Sequence, residues 1–195
     1  MINNSYAHTI RVSNFSLDDI SLLYEILNSG YLLSRNNIIK EGIEITNKII
    51  NTDTSAFNGM DYISLCDMKE EHEFNSSYNM YVRNGLSLLF NHDIKVIKPI
   101  VINGYERSLN HFYNMHYLGM QSSRYTDLSD EVQVKDQLSL DNLIGFSLPK
   151  KKIIGEHSIE YYFAYLEMAD EVIGEYYPNL PIYNLDDGKV LSKNR

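Results

Sequence analysis

The chain has 195 residues, of which 44% are hydrophobic and 22% charged, with four prolines and one cysteine. That composition is globular, and a chain of this length buries roughly 70% of its unfolded surface without a disulfide or a structural metal. Cys66 can form no internal bridge and can build no Cys-based metal motif, which points to a reducing compartment. No apolar run approaches the ~20 residues of a membrane helix, and Met1 to Ser5 lacks the basic, then apolar, start of a signal peptide. The net charge of −9 argues against duplex binding, which draws its strength from Lys and Arg neutralising phosphates. Sixteen tyrosines and no tryptophan suit ligand pockets and half-buried sheet faces alike.

In chain order, Ser5 to Val12 reads as a short strand. Ser16 followed by Leu17, Asp18 and Asp19 is a helix start, with acidic residues at the positive end of the dipole. Leu17, Ile20, Leu23, Tyr24 and Leu27 recur at helical spacing, and Gly30 is the left-handed stop. Residues 36–58 are rich in isoleucine but fit neither period. Tyr62 to Cys66 is a β-rich run, followed by a charged loop from Asp67 to Phe74. A helix is expected from Ser76 or Ser77 to just before Gly85. Leu86 to Phe90 and Ile94 to Ile97 read as strands joined by the turn Asn91-His92-Asp93.

Residues 103–130 are polar and aperiodic over a length that is usually functional or flexible. Glu131 to Val134 returns to alternation, and Leu143 to Leu148 is a further strand ended by Pro149. Lys150 to Lys152 reads as a solvated turn. Ser158 caps a long helix with Ile159, Tyr162, Phe163, Leu166, Ala169 and Ile173 inward, stopped before Pro178. Leu180 to Leu191 closes the chain as a hairpin or strand around Asp187-Gly188. Short strands with helices between and after them indicate an α+β class. The expected organisation is one domain, with a core over about 5–149 and a C-terminal helix and hairpin over 150–195.

Several groups that could carry chemistry have plainer readings. Glu70 to Glu73 includes His72 but is not a zinc motif, because Ser76 stands where the second His would be. His111 and His116 are five residues apart and do not share a helical face. Cys66 reads as a small buried hydrophobe.

Three segments in this order resemble the mono-ADP-ribosyltransferase fold family, which includes bacterial toxins and the catalytic domain of poly(ADP-ribose) polymerases. The first is Tyr6-Ala7-His8-Thr9 with the run from Leu23 through Gly30 to Ser34, similar to the family's opening strand, His-bearing turn and following helix. The second is Asp61 to Cys66 with Ser76-Ser77-Tyr78. The third is Asp130 to Val134 with Leu140 to Phe146, which looks like the late strand carrying the catalytic Glu and the strand behind it.

The resemblance implies a split mixed sheet with flanking helices and a C-terminal helix. It also implies a chemistry in which nicotinamide leaves NAD through an oxocarbenium-like ribosyl cation, with charge development like that of glycoside hydrolysis. On this reading Glu131 is the catalytic carboxylate that faces the ribose. His8, Thr9, Arg11, Tyr62, Ser64, Ser77 and Tyr78 are the NAD-binding residues, Tyr62 or Tyr78 stacking on nicotinamide with Tyr81 in reserve. His8 and Arg11 compete as the first-strand ligand. Arg124, Tyr125 and Ser129 belong to the acceptor-recognition loop, and no metal is required.

Two departures stand out. Thr9 follows His8 where many relatives have Gly, and Ser129 stands two residues before Glu131 where arginine- or asparagine-modifying relatives carry Glu or Gln. The implied protein is a toxin or effector transferring ADP-ribose to a macromolecule, a protein sooner than a nucleic acid. It would act in the cytoplasm where it is made or in a target cell's cytosol, with an antitoxin or activator as partner and no membrane role. The competing expectations are a binding module with a degenerate pocket, and a nuclease-like toxin using His111, His116 and Arg124.

Overall fold

The computed structural model describes residues 4–10, 17–42, 61–68, 85–97, 131–148, 159–184 and 190–192. The expected helix from 76 or 77 to 84, the aperiodic stretch 103–130, the lysine turn and the Ser16 and Ser158 caps lie outside the described residues, as do His72, His111 and His116. The class is α+β. Its centre is a seven-stranded, mostly antiparallel sheet in the order β5-β3-β1-β4-β7-β8-β9. These strands are β1 (Ser5–Ile10), β3 (Tyr62–Met68), β4 (Leu86–Asn91), β5 (Glu131–Lys135), β7 (Leu143–Leu148), β8 (Ile182–Asn184) and β9 (Val190–Ser192). The pair β7–β8 alone among these neighbours runs parallel. Two further short strands, β2 (Tyr31–Leu33) and β6 (Gln137–Ser139), pair separately.

Alternation along the strands builds the core. Tyr6, Ile10, Ile63, Leu65, Leu86, Leu88, Phe90, Val132, Val134 and Phe146 are buried in one cluster with residues of two helices. The helix α1 (Leu17–Ser29) contributes Ile20, Leu23 and Leu27. The long helix α3 (Ile159–Tyr176) contributes Tyr165, Ala169 and Ile173. The spacing of three or four residues places each set on one stripe, which is what a helix lying on a sheet requires. Tyr24 meets Tyr176 edge-on at 5.8 Å where the two helices pack. The alternate positions Ala7, Cys66, Met68 and Leu89 are buried as well, so both faces of the sheet's centre are covered. Cys66 is buried, in keeping with its reading as a small hydrophobe.

Gly30 ends α1 at φ +75°, as its left-handed role requires. The chain then turns directly into β2, so residues 31–33 extend as a strand and do not prolong the helix. The helix α2 (Arg35–Lys40) runs into the start of the undecided stretch 36–58, and Ser34 caps it by accepting from the Asn37 amide at 3.4 Å.

Three further expectations are corrected. Asp67 and Met68 continue β3 instead of opening a charged loop, and both are buried. Ile94 to Ile97 does not return as a strand on β4. Ile97 instead makes an isolated antiparallel bridge to Gln133, with both backbone bonds at 2.9 Å, and so lies along the outer side of β5. Phe163 points outward at 56% exposure, while Tyr165 takes the inward place at 1%. At the C-terminal end, β8 and β9 pair antiparallel as the expected hairpin.

Candidate functional site

The strands β5, β3 and β1 are neighbours, and they carry Glu131, then Tyr62 and Ser64, then His8 and Thr9. Glu131 opens β5 opposite Cys66, and Gln133 stands opposite Ser64. Only the backbone of Glu131 is among the described atoms; its side chain lies outside them. By register, position 131 belongs to the series of Gln133 and Lys135, not to the buried series of Val132 and Val134.

The β1–β3 register runs from Ser5–Met68 to Ala7–Cys66 and ends there. His8 follows immediately, in the alternating series of Tyr6 and Ile10, and is half-buried. Its Nδ1 lies 3.0 Å from the Ser64 carbonyl oxygen. A carbonyl can only accept, so in this bond Nδ1 carries the proton and Nε2 is left as an acceptor. Burial holds the imidazole below its ordinary pKa, opposed by the Ser64 carbonyl, which favours the charged ring. The group is therefore a neutral imidazole of fixed tautomer near pH 7, bridging two strands where their backbone ladder stops.

Thr9 takes the opposite face of β1. Its Oγ1 is 2.9 Å from Ser87 Oγ, directly across on β4. Ser87 is fully buried, so a Thr stands where the family resemblance leads one to expect Gly, and its hydroxyl is tied into the sheet. Ser64 is exposed, and Tyr62 and Gln133 are half-buried. Arg11, Ser77, Tyr78, Tyr81, Arg124, Tyr125 and Ser129 lie outside the described residues.

One constellation was not legible in the sequence. His92 Nε2 lies 3.1 Å from Oδ1 of buried Asp67, and its ring rests on Tyr6 at a centroid distance of 4.3 Å. A cross-strand register unites these residues, because Tyr6 stands opposite both Asp67 on β3 and Phe90 on β4. The only sequence signal was a turn composition at Asn91 to Asp93. That turn does form, held by Asn91 Oδ1 accepting from the Asp93 amide at 3.2 Å. The arrangement fastens the turn after β4 to the end of β3.

Among the described residues no group of three or more His, Cys, Asp or Glu side chains is gathered to hold a metal ion. No helix among them is long and apolar enough to cross a membrane. No protein-family model matches the chain, and comparison with curated proteins and with solved structures gives no match either.

Proposed function

We propose that the chain is an NAD-consuming mono-ADP-ribosyltransferase with an ADP-ribosyltransferase-like sheet. The observation that carries the reading is the strand order β5-β3-β1, since one strand from each of the three segments that suggested the family from sequence lies beside the next in the sheet. The His8–Ser64 bond, which ties the first segment to the second, lends further support.

The residues present suit the ribose-bearing part of such a substrate. Ser64, Thr9 and Gln133 are uncharged hydrogen-bonding groups at or near the surface on the sheet face of position 131, whereas by register His8 lies on the opposite face with Tyr6 and Ile10 and is not brought together with Glu131. In the reaction the bond from ribose C1′ to nicotinamide breaks, and nicotinamide leaves with the electron pair. The Glu131 carboxylate faces the positive charge left on the sugar. The acceptor's nucleophile bonds to C1′ and gives up its proton. Tyr62 stacks on nicotinamide from the start of β3. With a net charge of −9, the acceptor is a protein sooner than a nucleic acid. An uncontrolled activity of this kind harms the cell that makes it, so the reading includes export or a neutralising partner.

The test is nicotinamide release from NAD by the purified chain. Glu131→Ala is expected to lower it at least ~100-fold, the usual scale for removing one transition-state contact. No release by the wild type, or equal release by the variant, overturns the proposal. A second reading, a binding module without turnover, is favoured by Thr9, whose hydroxyl is committed to Ser87 where Gly would leave the backbone open. NAD binding without nicotinamide release selects it.

A further inference from the structure

The register aligns a row of uncharged polar residues across the sheet. Gln133 on β5 stands opposite Ser64 on β3. Thr9 on β1 stands opposite Ser87 on β4, and Ser87 opposite Ser147 on β7. Thr9 and Ser64 are each two residues beyond the last β1–β3 pair, Ala7–Cys66, so they continue that alignment. The flanking positions on the same series are apolar and buried: Ala7, Cys66 and Leu89. Exposure along the row peaks at Ser64 and falls toward β7. Ser64 is exposed, Gln133 and Thr9 are half-buried, and Ser87 and Ser147 are fully buried.

Ser147 marks the row's inner end. Its Oγ is buried and has no hydrogen-bond partner among the described residues. Leaving such a hydroxyl unpaired is destabilising, which in a sheet core calls for a reason. Its cross-strand neighbour Ser87 is already bonded to Thr9 on the other side. Side chains directly opposite on antiparallel strands have Cβ atoms about 5 Å apart, so a χ1 rotation brings the Ser87 and Ser147 hydroxyls together.

We infer that this row is a binding strip for the hydroxyls of a sugar, with Thr9 as its contact residue and Ser87 and Ser147 as positioning residues behind it. The three hydroxyls can run their protons in either direction. When Ser87 donates to Ser147, Thr9 donates to Ser87 and presents lone pairs outward. When Ser147 donates to Ser87, Ser87 donates to Thr9, whose own proton points outward. A sugar hydroxyl both donates and accepts, and either state meets it. A phosphate only accepts and prefers cations, and none of the five residues is charged.

The choice of probe rests on the transferase reading, whereas the row rests on the sheet register alone. The probe is ADP-ribose, which has two ribose rings and no nicotinamide bond to break. Calorimetric titration of the full chain is expected to show binding, with D-ribose competing and inorganic pyrophosphate failing to compete. Thr9→Val, which keeps the shape and removes the hydroxyl, is expected to weaken binding at least tenfold, while Thr9→Ser stays within about threefold. Ser147→Ala is expected to melt no lower than the wild type and to bind about threefold more weakly.

No binding of ADP-ribose overturns the strip, and so does competition by pyrophosphate alone. Equal affinity of Thr9→Val and the wild type does the same. If Thr9→Val does not fold, the Thr9→Ser and Ser147→Ala titrations decide in its place. ADP-ribose binding that depends on Thr9 in a chain that releases no nicotinamide sustains the strip and refutes only the transferase reading.

Discussion

Gly145 sits in the middle of β7, and the reason is space. A Cβ added there would lie 2.8 Å from the Pro181 carbonyl oxygen, 3.1 Å from Tyr183 Cε2 and 3.2 Å from Pro181 Cγ. The first contact is with backbone, which cannot swing away as a side-chain tip can. That carbonyl also accepts from the Phe146 amide at 2.9 Å, so moving it strains the junction of β7 with the parallel strand β8. Gly145→Ala therefore combines overpacking, typically 1–3 kcal/mol, with partial loss of a hydrogen bond worth about 1 kcal/mol net. The sum is about 3 kcal/mol, and a domain of this size loses roughly 2–4 °C in Tm per kcal/mol. Thermal unfolding followed by circular dichroism should show a drop of about 6–12 °C, and urea unfolding a lower midpoint. A Gly145→Ala protein within 1 °C of the wild type would refute the close approach of β8 to β7.

The inward and outward faces of α3 give a paired test. Tyr165→Ala should cost about 3–5 kcal/mol, because the side chain is 1% exposed and leaves a cavity, whereas Phe163→Ser should change stability by less than ~0.5 kcal/mol. Comparable losses in urea unfolding would show that the helix faces are misassigned. For His8, the folded pKa lies below the ordinary 6.5. The unfolded chain therefore takes up the proton first as pH falls, and the stability held above about 6.5 is lost on descending through the folded value. His8→Gln keeps a donor for the Ser64 carbonyl and removes the titration, so its urea midpoint should fall less than that of the wild type between pH 7.5 and pH 5. Parallel declines would show that the His8 imidazole is not held below its ordinary pKa in the folded chain.

Much of the framework was legible in the chain itself, because period and punctuation are local. Ile20, Leu23 and Leu27 at helical spacing with Gly30 behind them define α1. The apolar runs at Tyr62, Leu86 and Leu143 define β3, β4 and β7, and Pro178 marks where α3 must already have ended. Local signals fail where the partner is distant. Phe163 and Tyr165 are two residues apart on one helix, and only the sheet beneath decides which is covered. Ile94 to Ile97 has the composition of a strand, yet its bridge partner among the described residues is Gln133, 36 residues on from Ile97. Asp67 looks like a loop carboxylate until Tyr6 and His92 close around it.

The candidate site divides in the same way. Its residue types, a His, a Tyr, two Ser or Thr hydroxyls and a Glu, stand in the sequence in a suggestive order. That β5, β3 and β1 lie side by side, that His8 bonds to the Ser64 carbonyl, and that Thr9, Ser87 and Ser147 share a row are matters of strand register. Register joins residues up to 138 positions apart, as Thr9 and Ser147 are. It is set by which alternation buries the larger apolar face across all the strands at once, a quantity that no single segment contains.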